Sequence, residues 1–588
     1  MVCKLLWLVL LFTIATVGEA KQSAGKACNR NDLKGLISFK AGIHVDTSGR
    51  LAKWVGRSCC NWEGVTCDNT TGRVTAILLA GFISTDDFIL QSEMKGWLSP
   101  SITLLSFLEV IDLGGLINLA GTIPPAIGFR LPRLRKLYLY GNKLSGSVPH
   151  SIGQIPDRIG EMQALEKLDL SNNLLRGKIP ISLTGLNAIS ELYLDTNCLE
   201  GAIPFPSSSG QMSSLGFLKL NDNNLTGTIP ANFGYLVSLQ RVSLANNKLA
   251  GVIPSSLGNL SALTELYLNG NLLSGQIPKS ISLLSRLILL SISHNFIQGP
   301  FPCEFSSLQN LQTLDLSFNH LDLVSFPKCL AEMPSLSRIY LAGCGIHGEI
   351  PAFLQTTPSP IQELDLSTNH LTGSLPPWLG SLTQLYSLNL SRNFLVSSIP
   401  DSVTNLQHLG VLDLHSNKIT GPISKIFEIC SAFSDGSLTY IDLSDNIFSG
   451  GIQQIGVGGQ VGIQYLNLSR NILEGEVRTS IGRMKSLQTL DLSCNKFGFT
   501  LPEALANVSS LERLKLQKNH FTGKIPVGFL KLRKLKELNL SDNLLVGEIP
   551  IGKPLSEFPW SSFSGNKGLC GKPLTPCKVR GYKSLINL

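Results

Sequence analysis

Asparagine recurs along this chain at an almost fixed spacing, and each such residue ends a segment of the form L-x-x-L-x-L-x-x-N. Eleven of the 17 gaps between successive anchor positions are 24 residues long. A fixed period in this range is typical of a solenoid, in which each repeat buries its apolar face against its neighbours. The anchor positions, with Cys344 in place of one asparagine, are Asn118, Asn142, Asn173, Asn197, Asn223, Asn247, Asn271, Asn295, Asn319, Cys344, Asn369, Asn393, Asn417, Asn446, Asn471, Asn495, Asn519 and Asn543.

The order of residues within one period predicts how each repeat folds. Leucines alternate with polar residues in L-x-x-L-x-L, which indicates a short strand with one buried face, and successive strands would stack in parallel about 4.8 Å apart. The anchor amide can both donate and accept, so it can satisfy backbone groups of neighbouring turns. A following L-x-G-x-I-P segment then bends the chain. The sequence predicts an α/β repeat solenoid with a parallel β-sheet on the concave face and irregular or 3₁₀ structure on the convex side.

The two ends of the chain differ from the repeats. Lys4, an apolar run from Leu5 to Val17 and small residues before Ala20 predict a signal peptide over residues 1–20. Residues 21–72 are predicted to form an N-terminal disulfide cap, residues 73–550 a solenoid of about 19 repeats, and residues 551–588 a C-terminal cap and tail. No later stretch reaches about 18 uninterrupted apolar residues. We therefore expect a secreted protein, in the apoplast, the cell wall or at the outer cell surface, with no membrane anchor of its own.

Cysteines and sequons agree with export. Cysteines cluster before and after the repeats, and Cys303 and Cys329 occupy matching places in adjacent repeats, which predicts a disulfide framework. Cys198, Cys344, Cys430 and Cys494 have no obvious partner and are expected to be small buried hydrophobes. Glycosylation is predicted at some of the seven N-x-Ser/Thr sequons. These are Asn69, Asn224, Asn259, Asn389, Asn467, Asn507 and Asn539.

The chemistry of an enzyme is not recognisable in the sequence. The P-loop, H-E-x-x-H and G-x-S-x-G motifs are absent, and so are the kinase H-R-D and D-F-G triplets. The nine histidines show no metal-ligand spacing, and the recurring aspartates of L-D-L are strand residues repeated by the architecture. The net charge of +8 is dispersed, unlike that of a nucleic-acid binder. We expect no catalysis, cofactor, metal or nucleic acid.

The residues that vary from repeat to repeat point outward from the concave face. Tyrosines recur there in the first half of the chain, whereas the second half is nearly all aspartate or asparagine. Tyrosine offers a large contact area with a polar tip, although it is also simply common in strands. Glycans on Asn389, Asn467 and Asn539 would obstruct the second half. The predicted site for a peptide, glycan or protein ligand is therefore Tyr138, Tyr193, Lys219, Tyr267, His294, Arg338 and Tyr340.

Two end motifs carry a resemblance to a known family. Cys59-Cys-Asn-Trp62-x-Gly-Val-x-Cys67 is similar to the CC-x-W-x-GV-x-C cap of plant leucine-rich-repeat receptors, and Phe563 to Leu574 resembles their closing SF-x-GN-x-GLCG-x-PL segment. With the 24-residue repeat, the match covers about residues 28–577. The resemblance implies a right-handed leucine-rich-repeat superhelix. It also implies the disulfides Cys28–Cys59, Cys60–Cys67 and Cys570–Cys577.

That family comprises receptor-like kinases, receptor-like proteins and secreted relatives such as polygalacturonase-inhibiting proteins. The resemblance implies a non-catalytic extracellular binding protein in defence or development, with a receptor kinase ectodomain as one partner class. The chain would be either a secreted member or a truncated receptor without membrane helix and kinase. The alternative is a secreted inhibitor of microbial wall-degrading enzymes. Those inhibitors have about half as many repeats, which favours the receptor type.

Overall fold

The leucine-alternating segment of each repeat forms a short strand, and successive strands pair in parallel in the computed structural model. The structure describes residues 28–81, 92–152, 164–358, 360–429, 438–458 and 460–577. The signal peptide predicted over residues 1–20, Cys430 and residues 578–588 lie outside the described residues. Two units are distinguished, Met1–Leu175 and Arg176–Leu588. Their boundary falls within the predicted solenoid, and the limits of the predicted cap and repeat domains remain predictions.

The N-terminal unit begins with the helix Arg30–Gly42. Asn29 caps it by accepting from the backbone N–H of Asn31, and Leu36 and Phe39 are buried on its inner side. Its buried Asp32 accepts from Arg73 Nε at 2.8 Å, which ties the helix to the first strand of the ladder. The ladder strands are Val74–Leu78, Val110–Asp112, Lys136–Tyr138 and Lys167–Asp169, with Val65–Cys67 antiparallel to the first. Other elements are strands Ile43–Asp46, Met94–Trp97, Leu119–Thr122, Lys143–Gly146 and Leu174–Lys178, short helix Ile127–Arg130, and 3₁₀ turns Leu51–Lys53, Cys59–Asn61 and Pro100–Leu104.

The C-terminal unit has a longer ladder of the same kind, aligned residue for residue, so that Arg241 pairs with Glu265 and Ser243 with Tyr267. In its described part the ladder has fifteen strands. They are Glu191–Tyr193, Phe217–Lys219, Arg241–Ser243, Glu265–Tyr267, Leu289–Ser291, Thr313–Asp315, Arg338–Tyr340, Glu363–Asp365, Ser387–Asn389, Val411–Asp413, Tyr440–Asp442, Tyr465–Asn467, Thr489–Asp491, Arg513–Lys515 and Glu537–Asn539.

A second set of short strands follows the anchor asparagines on the flank of the C-terminal unit. They are Cys198–Ala202, Asn224–Thr226, Ala250–Val252, Leu272–Gly275, Phe296–Ile297, His347–Gly348, His370–Leu371, Thr420–Gly421, Ile447–Gly450, Ile472–Gly475, Lys496–Phe497, Thr522–Gly523, Leu544–Glu548 and Gly568–Cys570. This flank ladder is interrupted between Phe296–Ile297 and His347–Gly348, where only the isolated bridge of Gln298 with His320 is formed among the described residues.

The convex side of the C-terminal unit consists of 3₁₀ turns, as the repeat pattern predicts. Most begin after the proline of the I-P pair, because its fixed φ suits the entry to such a turn. They are Ile181–Gly185, Ala231–Tyr235, Ser255–Asn259, Lys279–Leu283, Cys303–Ser307, Ala352–Thr356, Pro377–Ser381, Asp401–Asn405, Ser424–Glu428, Thr479–Arg483, Glu503–Asn507, Val527–Lys531, Leu555–Glu557 and Trp560–Ser562, with the short α-helix Lys328–Ala331.

The anchor amide acts as the sequence predicts. Asn247 Nδ2 donates to the backbone oxygen of Leu244 in its own turn at 3.1 Å and to that of Leu220 in the preceding coil at 3.0 Å. Its Oδ1 accepts from the backbone N–H of Leu225 at 3.0 Å. The preceding Asn246 takes a left-handed backbone with φ 53°, which turns the chain inward. In the regular repeats each coil is thereby joined to the one before it by a buried amide.

Two departures from the repeat are accommodated locally. Ser397 and Phe499 stand where the pattern has glycine, and they adopt the left-handed backbone that glycine would favour, with φ 72° and 62°. Near the interruption of the flank ladder, the disulfide Cys303–Cys329 joins the turn Cys303–Ser307 to the helix Lys328–Ala331. A covalent link therefore lies beside the place where flank pairing is lost.

The described cysteines form four disulfides, and these are the pairs named from the sequence: Cys28–Cys59, Cys60–Cys67, Cys303–Cys329 and Cys570–Cys577. Among the free cysteines, Cys344 is buried, whereas Cys494 is half-buried and Cys198 is exposed. The expectation of burial was wrong for Cys198. It begins the flank strand Cys198–Ala202, where side chains alternate and this position faces solvent.

Candidate ligand-binding face

Most three-residue ladder strands present two outward side chains, because side chains alternate along a strand; Ser291, Asp442 and Thr489 are exceptions, since they are buried. In Arg241–Ser243, Val242 is buried while Arg241 and Ser243 point outward. The ligand residues predicted from the sequence lie mainly at the second of these two positions. The concave face therefore carries a second outward row, which includes Glu265, Arg338 and Tyr440.

Six of the seven predicted ligand residues belong to the C-terminal unit. Tyr193, Lys219, Tyr267, Arg338 and Tyr340 are half-exposed on its ladder, and His294 is exposed just after it. Lys219 pairs in register with Tyr193, and its Nζ lies 4.9 Å from the centre of the Tyr193 ring. A cation over a tyrosine face is stabilising.

Tyr267 is held in place by its neighbours on the ladder. Its hydroxyl donates to Glu265 Oε2 at 2.9 Å, while Arg241 forms an ion pair with the other carboxylate oxygen. Burial, followed by the hydrogen bond to Glu265, raises the pKa of Tyr267. The phenol therefore stays protonated, with its ring presented in a fixed orientation.

Tyr340 repeats this arrangement three strands further along. Its hydroxyl donates to Glu363 on the next strand, and Arg338 Nε lies 3.3 Å from Glu363 Oε1. Burial is the main cause that raises the pKa of Tyr340, and Glu363 adds to it. Two tyrosine–glutamate–arginine groups thus recur on one ladder.

His294 and Tyr138 occupy different surroundings. His294 takes the left-handed position before Asn295, and its ring stacks on Phe318 with centroids 4.6 Å apart. Tyr138 lies on the ladder of the N-terminal unit, paired in register with Asp112 and Asp169. The predicted residues are thus distributed over both units.

The aspartates and asparagines of the second half have a structural role. Asp365 Oδ1 accepts from the backbone N–H of Ser367 at 2.9 Å, and Asp413, Asp442 and Asp491 accept likewise from the residue two positions on. This bond caps the strand and leads the chain into the left-handed turn. This hydrogen bond explains why D-L-S recurs. It agrees with the interpretation of these aspartates as strand residues repeated by the architecture.

Tyrosines in the second half escaped the sequence analysis. The Tyr440 and Tyr465 rings stack on adjacent strands with centroids 4.4 Å apart and 5° between their planes. Tyr386, which is 49% exposed, directly precedes the ladder strand Ser387–Asn389. Reading both outward positions of each ladder strand in the sequence would have identified Tyr440 and Tyr465.

The sequons divide by location. Asn69, Asn224, Asn259 and Asn507 are exposed, whereas Asn389, Asn467 and Asn539 are half-exposed on the ladder. The Nδ2 of Asn467 donates to Asp442 Oδ2 at 3.0 Å. Glycosylation at all seven remains a prediction.

One group of ladder side chains has the composition of a metal site. Atoms of Asp413, His415 and Asp442 lie within 4.8 Å of one another. However, His415 Nδ1 lies 2.7 Å from Asp413 Oδ1, and Arg392 Nε donates to His415 Nε2 at 3.2 Å. Both ring nitrogens are therefore engaged by protein groups. Across the residues that the structure covers, no helix has the length and apolarity to cross a membrane.

Comparison with known proteins identifies the family. The Leucine rich repeat N-terminal domain matches residues 29–68, and leucine-rich-repeat families match residues 133–155, 164–186, 207–395 and 485–545. The plant peptide hormone receptor RGFR1, solved in complex with RGF2, is 32% identical with a TM-score of 0.63, and 81% of each chain is covered. The chain belongs to the plant leucine-rich-repeat receptor family.

Other members of this family are similar to the chain. The leucine-rich-repeat ectodomain of GASSHO1/SCHENGEN3 from Arabidopsis thaliana, solved with CASPARIAN STRIP INTEGRITY FACTOR 2, is 34% identical with a TM-score of 0.62, covering 82% of this chain and 58% of that one. Receptor-like protein EIX2 of Solanum lycopersicum is 32% identical over 147 residues, which are 24% of this chain and 14% of that protein. The chain thus matches only a small part of the length of this relative.

Proposed function

We propose that this chain is a non-catalytic extracellular binding protein whose C-terminal unit holds a peptide or protein ligand on its concave ladder. The observation that carries the proposal is the pair of tyrosine–glutamate–arginine groups around Tyr267 and Tyr340. Their rings are fixed by hydrogen bonds and ion pairs before any ligand arrives. Binding then loses little side-chain entropy, which favours affinity.

The solved relatives support a peptide ligand. RGFR1 and GASSHO1/SCHENGEN3 were both solved with a peptide or protein factor, and HAESA was solved with the peptide hormone IDA and the co-receptor SERK1. A ligand laid across the ladder would meet a new pair of outward side chains about every 4.8 Å. A partner receptor kinase ectodomain, as in the HAESA complex, fits the same proposal.

The disulfides indicate the compartment in which the protein works. Four disulfides in the described residues favour an oxidising compartment outside the cytosol. On this basis, and by analogy with the family, we propose secretion to the cell surface, glycosylation at exposed sequons and a role in defence or development.

The test uses the secreted, disulfide-intact chain immobilised as bait for peptides from apoplastic fluid. Captured peptides are sequenced by mass spectrometry, synthesised, and titrated against the protein by calorimetry. We expect Tyr193→Ala with Tyr267→Ala to weaken binding by tenfold or more, since aromatic anchors carry about 2 kcal/mol each at interfaces. Tyr235→Ala, on the convex turn Ala231–Tyr235, is the matched control. Unchanged affinity of the double variant would remove this patch.

A polygalacturonase inhibitor of Vitis vinifera supplies the second candidate. It is 32% identical over 118 residues, which are 20% of this chain and 32% of the inhibitor. In that case the purified chain would slow a fungal polygalacturonase in a reducing-sugar assay. Full enzyme activity at a saturating excess of the chain would eliminate this candidate.

A further inference from the structure

We propose that His347 and His370 form a site for a divalent copper ion on the flank of the C-terminal unit. The two residues belong to successive coils and are register partners in the flank strands His347–Gly348 and His370–Leu371. Both side chains are exposed. The inference goes beyond the proposed function, because the flank strands are separate from the concave ladder on which a peptide would bind.

The two histidines show no metal-ligand spacing in the sequence, because only the coiling of the chain brings them together. Neighbouring strands lie about 4.8 Å apart, and the two ring centres are 4.6 Å apart with 38° between their planes. Two imidazoles bound at right angles to one metal ion, through nitrogens about 2.0 Å from it, have ring centres about 4.5 Å apart, whereas a tetrahedral angle gives about 5.2 Å. The observed spacing therefore suits the right-angled positions of Cu²⁺ better than tetrahedral Zn²⁺.

His347 is held in the form that binds a metal ion. Its Nδ1 lies 2.8 Å from the backbone oxygen of Gly345, which can only accept, so Nδ1 carries the hydrogen. The neutral ring then has its lone pair on Nε2. Ligating histidines in metalloproteins typically donate their other N–H to a carbonyl or a carboxylate, which fixes the tautomer and the orientation of the ring. His347 thus has the supporting hydrogen bond of a metal ligand.

His370 offers the second nitrogen. Its ring is nearly parallel to that of Phe394 in the next coil, with centroids 6.0 Å apart and 14° between the planes. In the described part of the chain neither of its ring nitrogens has a hydrogen-bond partner in the protein, whereas both nitrogens of His415 are engaged. Glu349, two residues after His347, lies against the next coil and adds a carboxylate that favours a cation on this flank.

The place of the pair in the fold explains what a bound ion would do. The flank ladder is interrupted before His347, and among the described residues His347–Gly348 and His370–Leu371 form a sheet of two strands. A sheet of two short strands is marginally stable. One ion held by a side chain from each strand would join the two coils where backbone pairing resumes. Its binding would stabilise the folded form.

The ligand chemistry favours copper over other divalent ions. Imidazole nitrogens suit Zn²⁺, Cu²⁺ and Ni²⁺, and among the divalent first-row metals Cu²⁺ generally binds a given site most tightly. Ca²⁺ and Mg²⁺ prefer oxygen ligands and are poor occupants of a site with two nitrogens. Water would complete the coordination, since both histidines are exposed.

The test titrates Cu²⁺ into the full, disulfide-intact chain by calorimetry at about pH 7.5, where imidazole is largely neutral, with free glycine as a competitor for weak sites. All variants carry Cys198→Ala as well, because an exposed thiol also binds copper. We expect saturable binding, and His347→Gln with His370→Gln should weaken it at least tenfold. No saturable binding, or unchanged affinity of the double variant, would overturn the inference.

Two control variants locate the ion. His520→Gln removes a single exposed histidine that follows Asn519 as His370 follows Asn369, and it should leave the affinity unchanged. His415→Gln removes the histidine of the concave group and should also leave the affinity unchanged. A tenfold loss in either control would contradict the assignment. Circular dichroism checks that every variant is folded.

Two further measurements do not depend on affinity. Electron paramagnetic resonance of the copper-bound chain should show coupling to two imidazole nitrogens, and to one in His370→Gln. Hydrogen exchange of residues 346–372 should slow on addition of Cu²⁺ in the parent chain and not in the double variant. Spectra without nitrogen coupling, or exchange that copper leaves unaltered, would overturn the inference. The peptide-capture experiment of the proposed function is run without copper, so the two proposals fail separately.

Discussion

The thiol of Cys344 donates to the backbone oxygen of Leu316 at 3.3 Å, at a position where the repeats on either side have an asparagine amide. Asn369, in the next repeat, donates to Leu341 at 2.8 Å and also accepts from the backbone N–H of Ile346 at 2.9 Å. A thiol supplies the donor but lacks the amide oxygen. One donor directed at the preceding coil is therefore enough to keep the ladder in register.

Replacements of the anchor Asn247 should show that the donor to the preceding coil contributes most to stability. Asn247→Ala leaves the backbone oxygens of Leu220 and Leu244 without this donor, and we expect a loss of about 3 kcal/mol, as several buried groups lose a partner. Asn247→Cys keeps a donor and should cost less. Hydrogen exchange of the strands Phe217–Lys219 and Arg241–Ser243, read by mass spectrometry, measures both. Equal protection from exchange in Asn247→Ala and Asn247→Cys would contradict the importance of the donor.

Phe499 offers a stabilising substitution. It holds a left-handed backbone with φ 62°, and its side chain is 64% exposed, so little packing is lost on removal. Phe499→Gly should stabilise the chain by about 1 kcal/mol, since left-handed strain costs roughly 1–2 kcal/mol in residues other than glycine. Denaturant unfolding monitored by fluorescence gives the shift. The control Tyr386→Gly, outside the left-handed region, should not stabilise.

Removal of the bridge Cys303–Cys329 should loosen the chain locally. It closes a separation of 26 residues, for which loop entropy gives about 3.5 kcal/mol. We expect faster hydrogen exchange in residues 303–331 after Cys303→Ala with Cys329→Ala. Cys198→Ala, which removes an exposed free thiol, is the control. Exchange that stays at the wild-type rate would show that packing alone holds this region.

His415 should make stability depend on pH. The hydrogen bond with Asp413 raises the pKa of His415 against the opposing charge of Arg392, so the protonated form, in which Nε2 no longer accepts from Arg392, is favoured in the folded state. That contribution is fully present below the ordinary histidine pKa of about 6.5 and is lost as the pH rises through the higher folded value. His415→Gln should therefore lower the unfolding midpoint more at about pH 5 than at about pH 8. An equal effect at both values would refute this linkage.

The repeat period predicted the ladder, the convex turns and the role of the anchor amide, because each of these features depends on a residue type at a fixed position of the repeat. Of the two outward positions on each concave strand, mainly one was predicted from the sequence. Tyr440 and Tyr465 stand two residues before the position that was read, and their stacking depends on the register of two strands. The interruption of the flank ladder was not predicted either, since it results from backbone pairing, which the repeat pattern alone does not specify.

The anchor amide of a regular repeat reaches one coil back, as Asn247 does to Leu220. The fit of a coil is therefore decided by its immediate neighbour. Loss of one complete 24-residue unit would bring the next anchor amide opposite the equivalent backbone oxygen of its new neighbour. A shorter deletion would instead bring one amide opposite the wrong carbonyl. Length, and with it the number of outward rows, is the property that duplication can change most readily in such a chain.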